Sequence, residues 1–114
     1  FHTPNAKFPQ QVAKQLGFNA KQLLPSLIVK EVGNTYAAAS LLALSEVLDI
    51  APAKSKILVC SYGSGAGADA FLFETTNHLI MQRKKYSNML AEQISALQAI
   101  DLANYQKMRS QNEH

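Results

Sequence analysis

The sequence holds a single cysteine, Cys60, and no tryptophan among its 114 residues. One cysteine cannot form a disulfide within the chain, and its presence alone favours a reducing compartment. No apolar run approaches the roughly 20 residues that a membrane-spanning helix needs. The first residues also lack the charged and apolar regions of a secretory signal. These absences predict a cytoplasmic protein that does not insert into a membrane.

Charge is sparse as well, because only 17% of the residues are charged and the formal net charge is +3. Hydrophobic residues make up 47%, which is enough apolar surface for one small globular domain. Lysine and arginine are scattered apart from a short cluster at 83–85, so no nucleic-acid partner is expected. Neither His78 nor His114 has the spacing of metal ligands, so no metal site is expected.

Hydrophobic periodicity and turn residues predict the element order α-β-α-β-β-α. The predicted elements are a helix over 5–16 ended by Gly17, a strand over 27–32, a helix over 35–48, a hairpin of strands over 57–60 and 69–76, and polar helices from Asn77 onward, the last capped by Asp101. A sheet with one apolar face needs helices to cover it, so we expect an α/β fold with helices packed on a mixed sheet. The pattern divides the chain into a motif-bearing core of residues 1–76 and a helical tail of residues 77–114.

A histidine stands second in the sequence, in the segment Phe1-His2-Thr3-Pro4. Imidazole accepts or donates a proton near neutral pH and can polarise a carbonyl group. Pro4 restricts the backbone just after the histidine and helps to hold its side chain in one place. Taken alone, His2 is more simply explained as an exposed terminal histidine, and Lys7 as an ordinary lysine in the first turn of a helix.

Asn34 lies between the strand predicted over 27–32 and the helix that follows it. Its carboxamide N–H₂ group is a neutral donor of the kind that stabilises a developing oxyanion. Asparagine is also common as a helix N-cap or as a turn residue. From the residues alone, both interpretations of Asn34 stay open.

Three glycines, Gly63, Gly65 and Gly67, follow the strand predicted over 57–60. A dinucleotide-binding fingerprint can be matched to their spacing, but it requires a helix after Ala68, where the sequence alternates like a strand. A phosphate-binding P-loop requires Lys-Ser/Thr after the glycines, and none follows. The pattern therefore favours a tight hairpin whose exposed backbone lines a pocket. Cys60, within the apolar run before these glycines, is expected to be a buried structural thiol.

Together these segments resemble the 3-hydroxy-3-methylglutaryl-CoA synthase family of thiolase-like condensing enzymes. The resemblance rests on three motifs in the family's order, namely Phe1-His2-Thr3-Pro4-x-x-Lys7, Gly33-Asn34-Thr35-Tyr36 and Ser61-Tyr62-Gly63-Ser64-Gly65-Ala66-Gly67. The segment Pro4-Asn5-Ala6-Lys7-Phe8-Pro9 is closest to the archaeal-type branch. The resemblance covers most of residues 1–74 and implies the C-terminal part of a thiolase-like half.

The resemblance implies a condensation of acyl-CoA thioesters, of the acetyl-CoA plus acetoacetyl-CoA type, with no cofactor besides the coenzyme A thioester substrate. By that resemblance His2 and Asn34 bind the thioester carbonyl and stabilise its oxyanion. Lys7 faces the phosphates of coenzyme A. By the same resemblance, the residues that complete the binding site for the acyl group and coenzyme A are Tyr36, Gly63, Ser64 and Gly65.

In that family the nucleophilic cysteine precedes the catalytic histidine, whereas this sequence begins at Phe1. We therefore expect the chain alone to be inactive and to act with a complementary N-terminal chain or segment that carries the cysteine. Exposed apolar edges also predict a homo-oligomer. Two alternatives stay open: a non-catalytic module that binds coenzyme A or another protein, and a fragment of a ketoacyl-ACP synthase III-like enzyme.

Overall fold

The computed structural model describes residues 1–63, 65–86 and 89–111. Helices dominate these residues, and two strands form their sheet. The helices are α1 (Lys7–Gln15), α2 (Ala20–Leu23), α3 (Val29–Val32), α4 (Ala39–Ile50), α5 (Asn77–Arg83), α6 (Leu90–Ser95) and α7 (Leu102–Gln111), with short 3₁₀ turns at Leu24–Ser26 and Tyr36–Ala38. The strands are β1 (Lys56–Gly63) and β2 (Gly67–Glu74). The α/β class is therefore confirmed.

Strands β1 and β2 form the predicted hairpin, paired antiparallel from Lys56 opposite Glu74 to Gly63 opposite Gly67. The turn between them contains Gly65 with φ +96°, a left-handed conformation that glycine adopts without steric cost. Ser64, which precedes Gly65 in the sequence, lies outside the described residues. The glycine pattern thus predicted both the hairpin and the position of its turn.

The strand predicted over 27–32 is wrong, because this segment is helical. Pro25 stands in the first turn of the 3₁₀ helix, where its missing N–H is not needed. Short-range bonds then continue the turn, with the Val32 N–H donating to the Ile28 carbonyl at 3.1 Å. Without that strand, the sheet of the described residues is one antiparallel pair and not the mixed sheet expected. β-branched residues favour a strand only where a neighbouring strand offers a ladder.

Helix α4 is the central element, and it contacts β1, α6 and both 3₁₀ turns. Its buried positions are small residues, Ala39, Ser40 and Ala43, which let neighbouring backbones come close. Because α4 touches elements before and after the hairpin, it links the two ends of the described chain.

A small apolar core lies on the other side of the 3₁₀ turn at Leu24–Ser26. Its buried residues are Ala13, Leu23 and Leu27, and the rings of Phe1 and Phe18 pack against them. These two rings meet each other edge to face, with their centroids 5.9 Å apart. Gly17 ends α1 with φ +81°, as its predicted role as a C-cap requires. The first 28 residues thus form a compact helical unit beside the hairpin.

Helix α7 stands apart from this packing, since every residue in it is exposed. Asp101 caps it as predicted, because its Oδ1 accepts the N–H of Asn104 at 2.8 Å. Within the described ranges, no helix is both long enough and apolar enough to cross a bilayer.

Candidate functional site

His2 is held against the hairpin by its own backbone. Its N–H donates to the carbonyl of Cys60 on β1 at 2.8 Å, and its ring lies 6.0 Å from the ring of Tyr62, centroid to centroid. The next residue, Thr3, is fully buried, and His2 itself is half-buried. The histidine is therefore an anchored residue beside β1 and not a loose terminal side chain.

Cys60 differs from the prediction of a buried thiol, because it is half-buried on a strand that helices cover only in part. Its carbonyl is the acceptor that fixes His2.

Lys7 lies at the start of α1, directly after the His2 segment. The side-chain oxygen of Asn5 accepts the N–H groups of Lys7 and Phe8 at 2.9 and 3.1 Å, which fixes where the helix begins. Lys7 is exposed, and together with Lys14 it lines a cavity of about 620 Å³ between α1 and α2. Two lysine side chains therefore face an open cavity whose wall also carries the side chain of Asn19.

Asn34 lies in a turn whose geometry fixes the direction of its carboxamide. Gly33 has φ +74°, a conformation that favours glycine, and Asn34 Oδ1 accepts the N–H of Tyr36 at 2.8 Å. Because the oxygen is engaged, the N–H₂ group is the end left to donate. Within the described ranges it has no hydrogen-bond partner, and the residue is exposed.

Tyr36 itself adopts φ +52°, which is uncommon for a residue with a side chain, and it is 76% exposed. The hydrogen bond to Asn34 helps to hold this backbone conformation. An exposed aromatic ring in a constrained turn is a feature of binding sites more than of cores. Tyr36 therefore extends the Asn34 turn with an apolar surface.

Strand β1 brings the parts of the site together. It holds His2 through Cys60, and the 3₁₀ turn that follows Asn34 also contacts it. Gly63 ends the same strand, and Gly65 lies in the adjoining turn. Ser64, also predicted as a site residue, falls outside the described residues. Of the predicted site residues, His2 is bonded to β1, Gly63 ends it, and Tyr36 lies in the turn that contacts it. Asn34 lies two residues before that turn, and Lys7 lies at the cavity beside α1.

Tyr62 is the residue of this site that the sequence predictions left out. It is two positions from Cys60, so it points to the same face of β1 as the residue whose carbonyl holds His2. That alternation could have placed it near the histidine. The partner of His2 itself was not predictable, because the hydrogen bond joins residues 58 positions apart through main-chain atoms.

The described residues contain no cluster of three or more histidine, cysteine or acidic side chains that could hold a metal ion. The arrangement instead offers a half-buried imidazole and a neutral amide donor beside one strand. Such groups can bind a carbonyl oxygen and stabilise negative charge on it.

Comparison with known proteins shows which family the chain is similar to. Residues 1–75 match the family model described as 3-oxoacyl-[acyl-carrier-protein (ACP)] synthase III C terminal. The hydroxymethylglutaryl-CoA synthase of Methanopyrus kandleri is 44% identical over 109 residues, that of Aeropyrum pernix 43% and that of Methanothermobacter thermautotrophicus 42%. The matches cover 96% of this chain but only 30 to 31% of each relative.

The predicted resemblance to hydroxymethylglutaryl-CoA synthases is therefore confirmed, and the chain spans less than a third of the length of these relatives. The family model covers well over half of the chain, including the His2, Asn34 and glycine segments. The chain belongs to the 3-oxoacyl-[acyl-carrier-protein] synthase III C-terminal family of thiolase-like condensing enzymes.

Proposed function

We propose that this chain supplies the oxyanion-binding half of a condensing enzyme that joins acetyl-CoA to acetoacetyl-CoA. His2 and Asn34 donate hydrogen bonds to the thioester carbonyl, whose oxygen becomes negative when the thioester is attacked or forms its enolate. The observation that carries this proposal is the Asn34 turn, because its oxygen is engaged by Tyr36 and its N–H₂ group is left to donate. The relatives named as hydroxymethylglutaryl-CoA synthases support the choice of reaction.

The remaining site residues bind the rest of the substrate in this proposal. Lys7 attracts the phosphates of coenzyme A, aided by Lys14, which lies on the same helix and lines the same cavity. Tyr36 and the hairpin turn, with Gly63, Ser64 and Gly65, line the acyl end. In this proposal the nucleophilic cysteine comes from a complementary N-terminal chain or segment, as the resemblance to the synthase family implies, and Cys60 is a residue of strand β1. The single cysteine favours a cytoplasmic setting for this step of lipid metabolism.

A matched pair of variants at Asn34 tests the proposal. Asn34→Asp keeps an oxygen that accepts the Tyr36 N–H but replaces the N–H₂ donor with a carboxylate, whereas Asn34→Ala removes both. In a complete enzyme that contains this chain and the cysteine-bearing part, we expect both variants to lower kcat by about 10²- to 10³-fold. The isolated chain releases no coenzyme A from acetyl-CoA. Full activity of Asn34→Asp, or turnover by the isolated chain, would contradict the proposal.

The hairpin supports the requirement for a partner. All eight residues of β2 are exposed, including Phe71, Leu72 and Phe73, and a two-stranded hairpin is marginal without cover. We propose that the complementary part covers β2 and that the isolated chain otherwise forms homo-oligomers. Leu72→Lys should shift the isolated chain toward monomer in analytical ultracentrifugation, whereas Leu16→Lys, at an equally exposed position on α1, should not. Unchanged association of Leu72→Lys would contradict a role for β2.

A non-catalytic module that binds coenzyme A is the second candidate, and the cavity beside Lys7 and Lys14 favours it. A thermal shift of the isolated chain by coenzyme A would support such binding, since a ligand that prefers the folded state raises Tm. The variant Lys7→Met should then lose most of the shift. A ketoacyl-ACP synthase III-like enzyme fragment is distinguished by its substrate, because the complete enzyme would then use acyl-ACP in place of acetoacetyl-CoA.

A further inference from the structure

The C-terminal end of α4 lacks the partners that a helix end normally finds nearby. The Leu48 carbonyl would accept the N–H of residue 52 if the helix continued, but residue 52 is proline and has no N–H. Ala51 already has an extended backbone. The last turn of α4 contains no basic side chain, and Asp49 adds a negative charge to the negative end of the helix dipole. This end therefore needs a donor and a positive charge from elsewhere.

Arg83 supplies both from the end of α5. Its Nη2 donates to the Leu48 carbonyl and, at 2.8 Å, to the Ala51 carbonyl. Both acceptors are main-chain groups, and one nitrogen with two hydrogens can serve both of them. Bonds from a charged guanidinium are stronger than neutral ones, and a cation at this end also favours the dipole.

The opposite contact joins the same turn of α4 to α6. Asp49 Oδ2 accepts the N–H of Leu90 at 2.7 Å, and Leu90 is the first residue of α6. The residue before it, Met89, makes no side-chain cap, so Asp49 takes the place of the missing cap. The carboxylate also lies at the positive end of the α6 dipole. Arg83 of α5 thus satisfies carbonyl groups that α4 leaves unpaired. Asp49 of α4 satisfies an N–H group that α6 leaves unpaired.

We propose that Arg83 and Asp49 form a two-point clasp, through which α5 and α6 close on the end of α4 as one cooperative unit. Helices α4 and α6 also contact each other, and Leu90 and Ile94 of α6 are half-buried. On this proposal α5 and α6 belong to the same folded unit as α4, and α7 extends from it. The division at residue 76 that the sequence suggests then moves to about residue 96.

The cooperative clasp has a signature that two independent hydrogen bonds lack. If the clasp opens as a unit, loss of Arg83 also exposes the Leu90 N–H, although the partner of that N–H, Asp49, is untouched. Similarly, loss of Asp49 exposes the last turn of α4, reported by the Ala51 N–H that donates to the Val47 carbonyl. Independent bonds would show an effect only at the end that was altered.

Amide hydrogen exchange followed by NMR on the full chain tests this directly. Arg83→Met should accelerate exchange of the Leu90 amide by about tenfold or more, as expected when a charge-assisted contact no longer holds the unit closed. Lys84→Met, at an exposed neighbouring position, is the matched control and should leave that amide unchanged. Arg83→Lys keeps a charged donor without the planar fork, so it should give an intermediate acceleration and a folded chain.

The reciprocal variant and the double variant complete the test. Asp49→Ala should accelerate exchange at Ala51, and the double variant Arg83→Met with Asp49→Ala should exchange no faster than the more affected single variant. If Arg83→Met or Arg83→Lys leaves the Leu90 amide as protected as in the Lys84→Met control, the clasp is refuted. Additive effects in the double variant would refute it as well. None of these measurements involves acyl-CoA, so they do not depend on the proposed function.

Discussion

The two strands of the hairpin have equal length and similar apolar content, yet they lie in different environments. β1 has α4 on one side and the His2 segment bonded at Cys60, and Ile57 in it is only 8% exposed. Phe73, directly opposite Ile57 on β2, is 44% exposed. The difference teaches that an apolar pattern identifies a strand but not what covers it. On the proposed function, the site lies beside the covered strand and β2 is left for a partner.

The test with the largest expected effect compares substitutions at Ile57 and Phe73, which face each other across the hairpin. Ile57→Ala should destabilise the isolated chain by about 2 to 4 kcal/mol, because it removes buried methylene groups and leaves a cavity. Phe73→Ala removes more atoms but from a half-open position, and should cost about 1 kcal/mol or less. Urea unfolding of both variants measures this. An equal or greater loss for Phe73→Ala would break the distinction between the strands.

A second test concerns the anchor at the end of the hairpin. The buried Thr75 hydroxyl donates to the Pro52 carbonyl at 2.5 Å and accepts the Ser55 N–H at 2.8 Å, so it ties the end of β2 to the loop before β1. Thr75→Val keeps the shape of the side chain but leaves the Pro52 carbonyl and the Ser55 N–H without this partner. We expect it to lower the free energy of unfolding by about 1 to 3 kcal/mol. The control is Thr76→Val at an exposed position. Equal unfolding midpoints for these two variants would contradict the anchor.

The smallest expected effect is the difference between substitutions at two glycines, Gly65 in the turn of the hairpin and Gly67 at the start of β2. Gly65→Ala places a side chain at φ +96° and should destabilise the hairpin by about 1 kcal/mol, although the space around it is open. Gly67→Ala also meets open space, and Gly67 is not in the left-handed region. It should therefore leave the Tm nearly unchanged. The pair separates backbone strain from crowding, and a lower Tm for Gly67→Ala than for Gly65→Ala would reverse the assignment.

Local signals were the part of this fold that could be predicted from the sequence. The glycines at 63, 65 and 67 predicted the hairpin, and Asp101 predicted the start of α7, because turns and caps depend on neighbouring residues. The segment 27–32 was predicted wrongly for the opposite reason. Its β-branched residues would favour a strand beside another strand, but Pro25 and short-range hydrogen bonds fold it as turns.

The contacts that position the site were beyond prediction. His2 bonds to Cys60, and Arg83 bonds to Leu48 and Ala51, over separations of 58, 35 and 32 residues. Each of these bonds ends on a main-chain carbonyl, which every residue type carries, so no side-chain pattern marks the acceptor. The identities of His2 and Asn34 as candidates came from their motifs, whereas the bond from His2 to β1 and the contact of the Tyr36–Ala38 turn with β1 came from the structure.

The hydrogen bond between His2 and Cys60 has a consequence for mutational tolerance. Both of its atoms belong to the main chain, so replacing either side chain leaves the bond itself in place. Cys60→Ala or Cys60→Val can therefore be made without moving the histidine, and a chain free of thiols is available for labelling at any chosen position. Likewise, His2→Ala removes the imidazole from a segment that stays where it was. The chemistry at position 2 can be altered independently of the geometry that holds it.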